Sequence, residues 1–357
     1  MSVSLDSILM QDGGSLAARP YINTNREHPN FGKVVRLVAN GKNADGSIKF
    51  NEKVVANASQ ALRDDEWVQY DTALTAAKQK TLVIVQDLIS SGLVHNAGTI
   101  GNLVSNWDAV SKMDEGSITL DGVSNEDLDN VEFSSQGVVL PILQKGFKLS
   151  ARALDASRKS GSALDTAHIT AATQVVSTMA ERLVFRGKNF NVRDARGNSR
   201  TIYGLLNHPN RATTTFGNWL APGYTQEQIL KDIQNSIRIV QVTQRSRGKL
   251  RVYLNPAYEH LFREDYKQYS ERTLLDRVLG IDVIDAVRFA DECPVGSLVV
   301  VEWDVNTIDL AMIEDINTIQ LPSTGPWSER FQVYGVMAPR IKADFDGYLG
   351  LLVASIA

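Results

Sequence analysis

Residues 138–161, "VVLPILQKGFKLSARALDASRKSG", decide how this chain folds. The stretch opens as an apolar, β-prone run, passes Lys145 and Lys148, and closes as a short basic helix that starts at Ser150 and stops at Gly161. Serine offers an acceptor to the free N–H groups of a first helical turn, and glycine tolerates the left-handed backbone that ends a helix. A strand running straight into a capped helix serves either as a catalytic turn or as scaffolding, and the flanks separate the two. Upstream, residues 112–132 carry Asp114, Glu115, Asp121, Glu126, Asp127, Asp129 and Glu132 against Lys112, with a β-like "SITL" and the turn pair Asp121-Gly122. This pattern predicts an acidic hairpin loop whose return strand is the opening stretch.

Downstream, "LDTAHITAATQVVSTMAERLVFRG" places Ile169, Ala172, Val176, Met179, Ala180 and Leu183 on one stripe behind Asp165 as cap, a rod of about 33 Å. "KNFNVRDARGNSRTIYGLLNHPN" follows, predicting a hairpin that turns at Arg196-Gly197-Asn198 and then a short strand ending at His208-Pro209. Before the acidic loop, Trp67, Tyr70, Leu74, Ala77, Val85 and Leu88 recur at helical spacing, which predicts one helix from Asp64 to Ser91. Residues 1–60 are turn-rich yet hold Ile22, Phe31, Val34, Val35, Leu37 and Val38, and read as an ordered extended arm. After residue 216 a helix (225–246), "LRVYLNP", "AYEHLFRED", "SLVVVEW" and "TIDLAMI" predict a second α/β lobe to about 325, with the C-terminal strands returning to the first lobe.

The chain has 357 residues, 43% hydrophobic and 22% charged, enough apolar material for one large domain or two modest ones. A net charge of −4 argues against a surface that coats nucleic acid throughout, and leaves local basic patches open. The start, "MSVSLDSILMQDGGSLAARP", has no basic, apolar secretory pattern, so export is not expected. "TLVIVQDLI" and "GYLGLLVASIA" fall short of the roughly 18 apolar residues of a membrane helix. Cys293 stands alone, which excludes an intrachain disulfide and a cysteine-built metal cage.

Reactive constellations are sparse. His28, His95, His168, His208 and His260 form no metal-ligand spacing, and two of them sit in "HPN" turns. No nucleophile elbow, phosphate loop or dinucleotide fingerprint occurs. Ser246 and Lys249 match S-x-x-K without a companion motif, and Gly248 reads as a helix stop. Acids beside Cys293 would raise its pKa and dull it as a nucleophile. Catalytic, cofactor-binding and metal-ligating residues are therefore not assigned, and no cofactor is expected. Two basic clusters stand out: Arg186, Lys188, Arg193, Arg196 and Arg200, and then Arg245, Arg247, Lys249 and Arg251. Both suit an acidic partner, either phosphate or the 112–132 loop of another copy.

The order of parts, with "LPILQKGFKLSARALDASR", "LDTAHITAATQVVSTMAERLVFRG" and "GLLN" over about 137–207 and "LRVYLNPAYEHLF" beyond, resembles the major capsid proteins of tailed phages with the Hong Kong 97 fold, close to the branch shared with encapsulin shells. The resemblance implies an α+β fold with an N-terminal arm (1–60) and a peripheral domain (61–111 and 138–215) containing a spine helix (163–187). It further implies an extended β-hairpin loop (112–137), an axial domain (216–325) and C-terminal strands (326–357) returning to the peripheral domain. The implied function is structural: no enzyme, but a subunit that self-assembles through pentamers and hexamers into an icosahedral shell around phage double-stranded DNA held by non-specific contact. The alternative is an encapsulin-type compartment around a protein cargo. Portal, scaffolding or decoration proteins are the further implied partners, with no membrane, and the implied location is the virion, assembled in the host cytoplasm. The basic cluster from Arg186 to Arg200 is then an intersubunit or DNA-facing candidate, the acids from Asp114 to Glu132 are loop contacts, and the opening stretch is scaffolding.

Overall fold

Period-two and period-3.6 patterning both find their elements in the computed structural model. It describes residues 20–25, 28–31, 33–42, 48–54, 62–113, 130–160, 165–193, 199–267, 272–321 and 327–356, with backbone alone at 36–42, 48–53, 64, 191–193 and 199–200. In chain order the first elements are β1 (Tyr21–Ile22), β2 (Val34–Lys42), β3 (Ile48–Val54), β4 (Leu62–Arg63), α1 (Asp64–Thr81), α2 (Ile84–Ser90), β5 (Val94–Asn96), β6 (Val104–Val110), β7 (Phe133–Val139), β8 (Ile142–Ser150), α3 (Ala151–Ser160) and α4 (Ala167–Arg186). They continue with β9 (Lys188–Arg193), β10 (Ser199–Ile202), β11 (Ala212–Phe216), α5 (Gln226–Thr243), β12 (Leu250–Leu254), α6 (Glu259–Arg263), α7 (Leu274–Leu279), β13 (Ile284–Phe289), β14 (Ser297–Glu302), β15 (Ile308–Leu321), β16 (Ser328–Ile341) and β17 (Leu351–Ile356).

Two sheets organise the core. The order β5-β15-β16-β8 forms one, and β11-β17-β14-β12-β13 the other. On the first lies α4, whose apolar stripe is buried from Ile169 to Phe185. Trp67, Tyr70, Phe147 and Phe331 interlock there, with ring centroids 5.4 to 6.5 Å apart. Burying such rings contributes about 2–3 kcal/mol each. The second sheet is covered on both faces. Leu250, Val252, Leu254, Leu298, Val300, Leu352 and Ala354 face the core of α5, α6 and α7, while Tyr253, Val299, Val301 and Leu351 join the core of α4. Double burial removes the polar half of the usual strand alternation, which is why "SLVVVEW" reads as a continuous apolar run.

The exit from α4 explains the "FRG" and "YGLLN" motifs. Gly187 ends the helix at φ +62, and the N–H groups of Leu205 and Leu206 bond the carbonyls of Val184 and Phe185 at 2.9 and 2.8 Å. The returning chain lies backbone to backbone on the helix end. A Cβ on Gly204 would meet the Gly187 nitrogen at 2.3 Å, and one on Gly187 would meet the Ile202 carbonyl at 2.2 Å.

Several sequence expectations are corrected. The single helix over 64–91 is two, α1 and α2, separated at Leu82–Val83. The buried Glu181 carboxylate on α4 accepts the N–H groups of Val83, Ile84 and Val85 at 2.9, 3.2 and 3.0 Å, so the chain restarts there as a new helix. The long helix begins at Ala167 behind Thr166, and Asp165 accepts the Ala167 N–H at 2.9 Å. No strand runs to His208-Pro209; after β10 the chain forms turns through Asn210. The stop of α5 is not Gly248 but Arg245, which takes the left-handed conformation at φ 54. The boundary at 325 also shifts. β15 belongs to the first sheet beside β16, and β17 inserts between β11 and β14 of the second, because its two apolar faces fit a doubly covered position.

Candidate intersubunit surfaces

β6 and β7 form an antiparallel hairpin paired from Val104↔Val139 to Val110↔Phe133, so its stem starts earlier than the expected boundary at 112. The stem is rooted on the first sheet by charge. Arg340 of β16 grips Asp309 through two bonds of 2.6 and 2.5 Å, reaches Ser105 of β6 at 3.2 Å, and lies 5.8 Å from the Trp107 ring. Lys342 adds a 2.7 Å bond to Asp309. Arg340 and Asp309 are buried, and a buried charge is tolerated when it is paired and hydrogen-bonded, as both are here. At the far end of the stem Lys112 bonds Asp346 at 3.0 Å, with Asp344 at 3.9 Å. Beyond the root the hairpin presents apolar side chains to solvent: Val110 and Phe133, directly opposite each other, are 49% and 71% exposed, Met113 is exposed three residues after Val110, and Leu103 is exposed at the opposite end of the stem. Such a surface loses free energy until another surface covers it.

A cleft of about 330 Å³ lies between the hairpin stem, the His208 turn and β16, lined by Trp107, Gln136, Tyr203, His208, Pro339 and Ile341 among others. His208 is held as a turn residue, as the sequence predicts. Its Nδ1 accepts the Asn210 N–H at 3.2 Å, and His28 accepts the Asn30 N–H in the same way at 3.3 Å. Burial, with the charge of Arg211, pushes His208 down to about 4, so the ring is neutral near pH 7.

The predicted contact residues divide. Of the acids, Glu132 is described, and its N–H bonds the Ser111 hydroxyl at 2.8 Å; Asp114, Glu115, Asp121, Glu126, Asp127 and Asp129 lie outside the described residues, as does Arg196. Arg193 and Arg200 are placed by backbone alone, on the facing strands β9 and β10. Arg186 stands 3.7 Å from Glu292, which Arg182 also grips, and Lys188 lies over Phe190 at 5.3 Å. The second basic cluster is largely engaged within the chain: Arg245 stacks on Tyr348 at 4.4 Å, Lys249 is 3.3 Å from Asp282, and Arg251 bonds Asp285 at 2.6 Å and covers Trp303 at 4.1 Å. On the opening stretch, Arg158 is spent on Glu66 through bonds of 2.8 and 2.7 Å, whereas Lys145, Lys148, Arg152 and Lys159 are exposed.

Cys293 is buried, and burial rather than its acidic neighbours pushes the thiol up to about 12. Among the described residues no three His, Cys, Asp or Glu side chains gather as metal ligands, and no helix is long and apolar enough to cross a membrane. What sequence reasoning missed is the Arg340–Asp309–Ser105 root and Trp327, the latter signalled only by a tryptophan set in the turn-forming "STGPWSE". The groups gathered at these surfaces are suited to non-covalent docking.

A family model described as a family of unknown function (DUF6260) matches residues 57–354. Among solved structures, a virus-like particle from Pyrococcus furiosus aligns with a TM-score of 0.58 at 16% identity, covering 81% of this chain and 99% of that one. The capsid of Myoviridae phage XM1 aligns with a TM-score of 0.55 at 12% identity, covering 74% and 89%. A Gordonia phage Cozz chain aligns at 0.50 and 11% identity, covering 76% and 86%.

Proposed function

From a chain that belongs to DUF6260, a family of unknown function, and that has the Hong Kong 97-type capsid fold, we propose a shell subunit: copies associate as pentamers and hexamers and close into an icosahedral container. The observation that carries this reading is the β6–β7 hairpin. It is rooted rigidly by Arg340 yet bears Val110 and Phe133 in the open, a combination that gains stability when a neighbouring copy supplies the missing cover. Contacts that are individually weak suffice, because closure repeats them over many copies and lets misplaced subunits dissociate.

The proposed content is phage double-stranded DNA, touched without sequence preference, so that Arg186, Lys188 and the β9–β10 arginines meet either phosphate or a neighbour's acids. In this reading the particle is the virion shell, is assembled in the host cytoplasm, and works with portal, scaffolding or decoration proteins. A second reading, a compartment enclosing protein cargo, draws support from the fit to the Pyrococcus furiosus particle, which covers 99% of that chain. Expressing the full chain alone and imaging it by electron microscopy tests the shell: closed particles are expected, and a lone subunit at every concentration and salt tried overturns it. Absorbance and mass spectrometry of particles from the native source then separate nucleic acid from protein contents.

A further inference from the structure

One short helix joins two layers of the core through acids. At its start α2 is capped by Glu181 of α4, whose two carboxylate oxygens accept the N–H groups of Val83, Ile84 and Val85. Midway along, Asp87 reaches the second sheet: it accepts the Tyr253 hydroxyl of β12 at 3.1 Å and lies 3.3 Å from Arg288 of β13 and 3.8 Å from Arg251 of β12. Glu181 and Asp87 are 3% and 8% exposed, so two acids share one dry space between α4 and the second sheet, and Ile84, Val85 and Leu88 of the same helix are wholly buried around them. Their partners differ in kind. Asp87 meets a hydroxyl and two cations, whereas Glu181 meets backbone N–H groups, with the Asp87 charge opposing its ionisation. Arg182, next in α4, is held by Glu292 at 2.9 Å, and Arg251 is shared with Asp285 at 2.6 Å.

Burial raises the Glu181 carboxyl to about 7, and its three N–H partners offset only part of that effect. A group that holds its proton more tightly when dry than when wet links proton release to the entry of water. Below the ordinary value of 4.5 the dry arrangement keeps its full advantage, and it loses that advantage as pH rises through about 7. The other buried groups at the junction stay silent over this range: burial and the Asp87 charge raise the Tyr253 phenol, and burial pushes the Cys293 thiol up to about 12. We propose that α2 is a proton-controlled brace between α4 and the second sheet: it is clamped to both while Glu181 is protonated, and it admits water at its first turn and slackens the Asp87 contacts with Tyr253 and Arg288 when Glu181 ionises. The device lies within one subunit and stands whether or not copies assemble. By reciprocity, any contact that presses the second sheet toward α4 raises the proton affinity of Glu181.

Amide hydrogen exchange on the full-length subunit, below its assembly concentration, tests this. Corrected for the intrinsic pH dependence of exchange, protection of the α2 amides should fall about tenfold or more from about pH 5.5 to about pH 8.5 in wild type, and stay level in Glu181→Gln, whose side chain keeps an acceptor and cannot ionise. Spin labels introduced by Gln79→Cys on α1 and Gln234→Cys on α5, both exposed, read the junction itself, since the native Cys293 is buried. Their distance distribution should widen at the higher pH in wild type and keep its width in Glu181→Gln. Tyr253→Phe, which removes one Asp87 contact and leaves Glu181, should lower α2 protection at both pH values and preserve its fall between them. Level protection in wild type, or an equal fall in Glu181→Gln, overturns the proposal. A fall without any change in the label distances makes Glu181 a local cap and overturns it too. Should Glu181→Gln not fold, Asp87→Asn takes its place: removing the charge that opposes ionisation should shrink the fall with pH, and an undiminished fall sinks the brace.

Discussion

Glu181 shows how much one side chain can decide. It sits in α4 next to the apolar stripe, nearly inaccessible, and the three backbone N–H groups of Val83, Ile84 and Val85, at the entry to α2, point at it. Those donors favour the carboxylate, burial and the nearby Asp87 oppose it, and burial prevails, pushing the group up from 4.5 to about 7. A carboxyl raised on folding stabilises fully below its unfolded value and loses that contribution as pH climbs through the folded one. The melting temperature of wild type relative to Glu181→Gln should therefore fall between about pH 4.5 and pH 7; a flat difference in a pH series of thermal melts rejects the assignment. The sequence could not announce this role. A glutamate at that position looks like a solvent-facing helix residue, and its partners lie 96 to 98 positions away. Gly248 misled for a similar reason: glycine is the commonest helix stop, but Arg245 takes the left-handed turn and stacks on Tyr348.

At the level of elements, local pattern carried most of the information. The stripe from Ile169 to Leu183 gives α4, and the run into Ser150 gives β8 and α3. What stayed hidden is what distant elements impose: the α1–α2 break, and the place of β17, whose two apolar faces fit either sheet until the pairing is seen. The glycines at the α4 exit were legible as punctuation but not as a crossing. Gly204→Ala should cost at least about 3 kcal/mol, since backbone on both sides leaves nothing to move aside. Urea unfolding of the dissociated subunit measures this, and a midpoint equal to wild type contradicts the close approach. Gly223→Ala, where nothing lies within 4 Å, should show only the smaller penalty of its positive φ.

On the scale of the whole molecule, the candidate surfaces were half legible. Acidic and basic clusters stand in the sequence, but which cations are already satisfied depends on folding: Arg158, Arg251 and Lys249 find acids in their own chain, whereas Lys148 and Arg152 are exposed and meet none among the described residues. The hairpin's apolar face makes a separate prediction. Phe133→Asp should leave the isolated subunit's melting temperature within a degree or two, because the ring touches solvent already, while lowering particle yield at least about tenfold. Sedimentation velocity beside thermal melts reads both, and particles forming normally would remove the hairpin from the interface. The second sheet has its own corollary. Tyr253 looks one way and Val252 the other, so whichever lobe melts first strips a wall from the one that remains. Neither half can outlast its companion, and scanning calorimetry of the dissociated subunit should record a single endotherm instead of two.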